Sequence, residues 1–462
     1  MKTTDAFKLI IEIENSVNTD EFLWNGFDTW PILRQILWFK LTVNSSDDLI
    51  DQKKRILLLF TRIMNLILLI YRSFKKIKIK EDSEKIFFSR PVYLQEINSK
   101  KFFDRIVDPI IESFGENIKT SKYYVSKIPF KNELKHNFSY LHQNIYFSRA
   151  KVSDDQEKIL FQISKLANIN SFELRQAYKS QLLVFIKWFI SAKRLLSKHK
   201  KLQEIYLSSW YFPDMMGVCA AASSLGIKTI DVQHGKQGKY QAMFSGWTNI
   251  PEEGYALMPD RFWCWGQPSC DHILASSPNR STHIPFIGGY PWINYYKKNI
   301  TPVDSKFSDK KVRVLLTMQA PQGENTERIP DFIIDFLLSN QQENIHFTFR
   351  LHPNDNLGSY YFEDRLRMIN SNLYTIDEGK KNLYDVFMAV THHITAYSSC
   401  CYEASVFNIP TLLYGSDSKE IYEDDIENNI FTWINSNKED LSDWLYSEFC
   451  TNPKNLHQYI EN

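Results

Sequence analysis

VRVLLTMQAPQGENTERIPDFIIDFLLSNQQENIHFTFRLH (312–352) contains a complete supersecondary unit. Two apolar runs, VRVLLTM (312–318) and IHFTF (345–349), have the length and the β-branched or aromatic content of buried strands. Between them, IPDFIIDFLLSN (329–340) spaces its apolar residues at the helical period. Strand, helix and strand in that order predict a crossover connection, and with it a parallel sheet covered by helices.

The same alternation runs outward in both directions. Strands are expected at KIFFSR (85–90), EIYLSS (204–209), KTIDVQ (228–233), RFWCWG (261–266), HHITAYSS (392–399) and PTLLYG (410–415). Helices are expected at FFDRIVDPIIESF (102–114), EKILFQISKLANI (157–169), LLVFIKWFISAKRLL (182–196) and MMGVCAAASSLGI (215–227). The polar stretch GGYPWINYYKKNITPVDSKFSDKK (288–311) divides two series of such units and reads as a linker. The chain's 462 residues also exceed what one core of ~250–300 residues can organise. The fold class expected is α/β, two Rossmann-like domains with a helical N-terminal extension. The expected boundaries are a helical region 1–84, a first domain 85–290, a linker 291–310, a second domain 311–430 and a helical tail 431–462.

Composition removes several functions. Lys+Arg 55 against Asp+Glu 54 leaves a net charge of +1, so no global field attracts a nucleic acid. Cys219, Cys264, Cys270, Cys400, Cys401 and Cys450 show no zinc spacing, and MKTTDAFKLIIEIENS lacks a signal-peptide core. A cytoplasmic enzyme with reduced thiols is expected. KKRILLLFTRIMNLILLIYRSFKKIKI (53–79) is too polar at Arg62 and Asn65 to span a bilayer. Its basic ends suit a helix lying on the inner face of the cytoplasmic membrane, and a buried helix is the alternative.

No GxGxxG, GxxxxGK[ST], HExxH or GxSxG occurs. The candidate chemistry therefore lies after the strands, where open parallel sheets bind ligands. Gln233-His234-Gly235 follows KTIDVQ, with His234 a possible general base and Asp231 the alternative. Arg350, His352 and Pro353 end the strand IHFTF, and period 2 puts Arg350 and His352 on one face as a phosphate site. Ser398 and Ser399 close HHITAYSS before a helix that opens at once, with Glu403 a turn inside it and placed to reach a ribose. Gln319, Gln322 and Gly323 follow the first strand of the second domain, where amides could approach donor phosphates. Asp154-Asp155 and Asp424-Asp425 sit in polar helix or loop contexts, so no metal site is expected.

Taken in order, QHG, RxHP and SSxxxEA resemble the GT-B glycosyltransferases of bacterial capsule and lipopolysaccharide synthesis. The likeness covers roughly 200–430, with a weaker echo in WNGFDTWPILRQIL (24–37). It is nearest to transferases using CMP-linked Kdo or nonulosonic acids, and similar to the CDP-polyol phosphotransferases of teichoic-acid type. It implies a nucleotide-sugar donor held by Arg350, His352, Ser398, Ser399 and Glu403, with the nucleotide sugar as substrate and no cofactor. A glycan or lipid-linked acceptor on the first domain and metal-independent, inverting transfer are also implied. Two departures keep the donor open. The acidic D/E-D-G motif has only Glu252-Glu253-Gly254 as a near match, and His234-Gly235-Lys236 stands where the polymerases have HGT. A nucleotide-sugar epimerase shares the same two-domain plan.

Overall fold

The computed structural model describes residues 1–42, 83–98, 101–126, 133–134, 138–140, 150–275, 280–299, 312–319, 328–340, 344–352, 359–379 and 381–447. The basic apolar segment 53–79, most of the linker, and Gln322, Gly323 and Pro353 lie outside these residues. Two compact units form, dividing between Tyr296 and Lys297, with Met1–Thr4 grouped with the second.

The first unit is built on a parallel sheet of seven strands: β1 (Lys85–Ser89), β2 (Thr120–Tyr124), β3 (Ser139–Tyr140), β4 (Glu204–Leu207), β5 (Lys228–Val232), β6 (Arg261–Cys264) and β7 (Ile284–Ile287). Their spatial order is β7-β6-β5-β4-β1-β2-β3. The chain winds from β1 to one edge, then returns to β4 on the other side of β1. Alternate residues divide cleanly between the two faces, as a pleated strand requires. Ile86, Phe88, Ile205 and Leu207 join the larger core, whereas Phe87, Tyr206, Ile230 and Val232 pack with Tyr93 and Ile110.

One expected helix is absent in part. Lys101–Asp104 is a strand paired antiparallel with Leu94–Asn98, and the helix begins only at Asp108. Asp104 explains the change, because its Oδ1 accepts the amides of Ile106 and Val107 and closes a turn there.

Helices α1 (Thr3–Ser16) and α2 (Trp30–Thr42) contribute Ile10, Ile13, Leu33 and Leu37 to the core shared by β1 and β4. The N-terminal helices are thus part of the first unit's core. Their polar centre is a buried ion pair. Arg34 Nη1 donates to Glu14 Oε2 at 2.6 Å with both side chains fully buried. Every direction around it is occupied. The Arg34 guanidinium also donates to the carbonyls of Ala242, Ser245 and Gly246 and lies 4.2 Å from the Trp247 ring centroid. Glu14 accepts from Trp30 Nε1, Thr248 N and Thr248 Oγ1. Helix α3 (Pro213–Ser223) crosses the 26-residue helix Ser171–Leu196 closely because residue 217 is glycine. A Cβ there would stand 2.7 Å from the Phe189 amide nitrogen and 2.8 Å from the Phe185 carbonyl oxygen.

The second unit is a six-stranded parallel sheet: β8 (Val312–Thr317), β9 (Ile345–Arg350), β10 (Tyr374–Asp377), β11 (His392–Thr395), β12 (Thr411–Tyr414) and β13 (Thr432–Ile434). Its order, β10-β9-β8-β11-β12-β13, is the doubly wound arrangement of a dinucleotide-type sheet. The unit extends past residue 430, since β13 pairs with β12, and Leu441, Trp444 and Leu445 of the helix Lys438–Tyr446 enter its core.

Breaking a buried ion pair by removing one partner leaves an uncompensated charge and costs about 3–5 kcal/mol. Arg34→Met should therefore lower the urea midpoint strongly, and the Glu14→Gln/Arg34→Met double variant should recover part of the loss. Additive losses in the double variant would show that the two side chains are not coupled.

Candidate functional site

In doubly wound sheets the ligand side is at the carboxyl ends, above all where the strand order reverses. In the first unit that point lies between β1 and β4, which run on into Ser89-Arg90 and Ser208-Ser209. Ser209 holds φ +59, a left-handed conformation that non-glycine residues adopt at a cost and that gathers at functional sites. There the Ser209 hydroxyl pairs with the Tyr93 hydroxyl and stands 3.3 Å from His234 Nε2. His234 follows β5, the next strand, and the Tyr211 hydroxyl lies 3.2 Å from the same nitrogen. The rings of Tyr93 and Tyr211 flank the imidazole, with centroids 5.5 and 6.0 Å away.

Burial pushes the His234 imidazole down to about 4, and the positive charges of Arg105 and Arg90 push the same way against the Val232 carbonyl. The ring is neutral at physiological pH. The Ser209 and Tyr211 hydroxyls converge on Nε2, and each can donate to that nitrogen or accept from it, according to the tautomer of the ring. The loop beyond is held by side chains that bond its backbone. Gln233 donates to the Gly235 carbonyl and accepts the Trp265 amide, while Arg34 grips residues 242–246.

Asp231, expected as an alternative base, is placed otherwise. Period 2 turns it to the face opposite His234, where it is fully buried and its Oδ1 accepts the Trp210 amide at 3.1 Å. Burial holds its carboxyl well above the usual carboxylate range. Its work is to position the turn that carries Ser209 and Tyr211.

In the second unit the order reverses between β8 and β11. Gln319 follows the first of these, and Ser398 and Ser399 follow the second, so three of the expected residues share the switch point. The Ser398 hydroxyl accepts the Cys400 amide, whereas the Ser399 side chain makes no capping hydrogen bond. Arg350 stands one strand away. Its guanidinium pairs with Asp377 on β10 and donates to the Lys381 carbonyl at 2.8 Å, so its nearest anion is a protein carboxylate. His352 is half-buried two residues on. Glu403 is 4% exposed and accepts the Tyr384 hydroxyl at 2.6 Å, packed inside the unit and not presented at its edge.

Sequence reasoning passed over Tyr93, Ser209, Arg90 and Arg105. One signal was available: EIYLSS and HHITAYSS each contain the strand where the order of its sheet reverses, and both end in a Ser-Ser pair.

No family model matches the chain, and no curated protein matches it in sequence. Solved structures do match in fold. A Listeria monocytogenes structure, provisionally described as a UDP-N-acetylglucosamine 2-epimerase, is 10% identical with a TM-score of 0.50, covering 82% of this chain and 92% of its own. The UDP-GlcNAc 2-epimerase of Neisseria meningitidis bound to UDP-GlcNAc is 13% identical with a TM-score of 0.49, covering 81% and 95%. A UDP-glucosyltransferase of Polygonum tinctorium is 10% identical with a TM-score of 0.44, covering 80% and 90%. With the two doubly wound sheets, the match at 0.50 defines the class as an α/β protein of the GT-B type.

A histidine at its ordinary value of 6.5 would be half protonated in mild acid; His234 should not be. Its carbon-bound ring proton, followed by NMR across pH, should titrate near 4. A midpoint at or above 6.5 would mean that the ring is neither buried nor repelled as described.

Proposed function

We propose that this chain is a glycosyltransferase that moves a sugar from a nucleotide-activated donor to a glycan or lipid-linked acceptor. The observation that carries it is the chemistry at the two switch points. The second unit offers Gln319, Ser398 and Ser399 at the position where doubly wound sheets take nucleotides. The first offers a neutral imidazole whose Nε2 lies within hydrogen-bond distance of two hydroxyls. In this assignment His234 Nε2 takes the proton of an acceptor hydroxyl, and that oxygen attacks the anomeric carbon from the face opposite the leaving group. The bond from the anomeric carbon to the phosphate oxygen breaks, and its electron pair leaves on the nucleotide. Attack opposite the leaving group inverts the anomeric centre.

For the donor, the QHG, RxHP and SSxxxEA pattern favours a CMP-linked 3-deoxy-2-keto acid, and the fold neighbours named as acting on UDP-sugars make UDP the next to try. Arg350 contributes through Asp377, fixing the loop beside the site. Ser399 and Gln319 are the assigned direct ligands. A second reading, a nucleotide-sugar epimerase, is favoured by the fold match at a TM-score of 0.50. It requires no acceptor, so analysis of products from donor alone separates the two.

A thermal-shift panel of CMP, CDP, UDP and GDP tests the donor site, since a ligand at a hundredfold excess over Kd adds about 2.7 kcal/mol. Ser399→Ala and Gln319→Ala should each weaken the nucleotide that binds by about 1.5–3 kcal/mol, the range for a hydrogen bond to a charged group. His234→Ala should lower kcat by ~10²–10⁴-fold with nucleotide affinity kept. Unchanged affinity in both donor variants would remove the second unit from the donor site. Unchanged kcat in His234→Ala would remove the base.

A further inference from the structure

Arg280 lies in the turn before β7, and its Nε and Nη2 are buried without a hydrogen-bond partner among the described residues. These two nitrogens share one edge of the planar guanidinium. That edge is the fork that takes both oxygens of a carboxylate or phosphate side by side. The residue as a whole keeps partial exposure, so the fork sits just beneath the surface. Burial pushes the guanidinium down to about 10, and the neighbour that favours its charge is Cys264, the last residue of β6.

No described neighbour supplies a counter-charge. The Cys270 thiol and burial hold the fully buried Cys264 thiol well above its ordinary value, so it stays neutral. His283, in the same turn, is pushed down to about 4 by burial, and its Nε2 takes the Tyr255 amide. Asp260 is paired with Lys228 and accepts the Thr229 amide and hydroxyl. Asp271, on the helix after β6, accepts from Gln267.

A second side chain at Cys264 shows the same shortage. Gln237 is 3% exposed; its Oε1 accepts the Cys264 thiol at 3.6 Å, and its Nε2 is buried with no partner. Buried donors left unmade cost the desolvation of each group, and a buried charge is ordinarily paired. Three unused nitrogens on two residues that neighbour one sulfur are the mark of a missing acceptor.

We propose that the first unit binds an oxyanion, a phosphate or carboxylate group of a small ligand, side-on against Arg280 Nε and Nη2, with the Gln237 amide as a further donor. The site goes beyond the glycosyltransferase reading. It lies at the carboxyl end of β6, the strand next to the one that carries His234, and uses no residue assigned to the donor or the base. No bond in the ligand is made or broken there. The oxyanion supplies the counter-charge and accepts the unused hydrogens.

The test follows the Arg280 Nε–H resonance of the full chain by NMR, assigned through its own backbone. The probes are inorganic phosphate, methyl phosphate and acetate, with chloride at equal ionic strength as the control. Phosphate and methyl phosphate, or acetate, should move the resonance downfield, and chloride, which cannot bridge the fork, should not. The affinity so measured should fall about 10–100-fold in Arg280→Gln. Arg280→Lys keeps the charge without the fork and should recover only part of the loss. Gln237→Ala should cost about 2–10-fold. Arg261→Gln removes an exposed cation stacked on Phe286 and should leave the affinity unchanged. A folded wild-type protein whose Arg280 Nε–H ignores all three anions overturns the proposal, as does an affinity that survives Arg280→Gln. A response to inorganic phosphate alone overturns the assignment to a group carried on a larger molecule. Should Arg280→Gln fail to fold, the wild-type resonance and Gln237→Ala decide. Nucleotide binding with no anion response sinks only this site, and an anion response without nucleotide binding sinks only the donor reading.

Discussion

The Glu14–Arg34 pair is the constraint on which the first unit depends. A fully buried guanidinium is tolerated only when its donors are satisfied, and here they meet one carboxylate and three backbone carbonyls. Those carbonyls belong to residues 242–246, the far end of the loop that begins at His234. Two N-terminal helices, distant in sequence, therefore hold the segment that carries the catalytic candidate. Removing the charge at either side chain would leave the other stranded in the core and release the loop together with the helices.

Much of the fold was legible because it follows from periodicity. Strands buried on both faces read as continuous apolar runs, and helices between them forced parallel sheets. Local polar chemistry was less legible. The stretch 102–114 has helical spacing, but Asp104 captures two amides and ends the run before Asp108. The N-terminal extension has an apolar pattern that fits a separate helical region, but Ile10, Ile13, Leu33 and Leu37 pack into the core of the first sheet and the buried Glu14–Arg34 pair ties the helices to the loop after β5. Neither residue announces its partner in sequence.

The site divides in the same way. His234, Gln319, Ser398 and Ser399 could be placed from the rule that ligands gather beyond strand ends, and that rule needs only the strand positions. Asp231, Arg350 and Glu403 could not, because their roles depend on what lies across the strand or helix. Asp231 meets the Trp210 amide, Arg350 meets Asp377, and Glu403 meets Tyr384. Ser209 was hidden for a further reason: its importance lies in a backbone angle, φ +59, that no residue-type pattern encodes. The two sheets nonetheless place a Ser-Ser pair after the equivalent strand, so two unlike sequences present hydroxyls at matching points of a shared winding order.

The division of labour between the units is the central claim, and hydrogen exchange with mass spectrometry tests it most directly. The nucleotide that stabilises the protein should slow exchange in peptides covering 314–319 and 395–403, the ends of β8 and β11, and leave 206–236 as it was. Protection confined to 206–236, with the second unit unchanged, would contradict the assignment of the nucleotide to the second sheet.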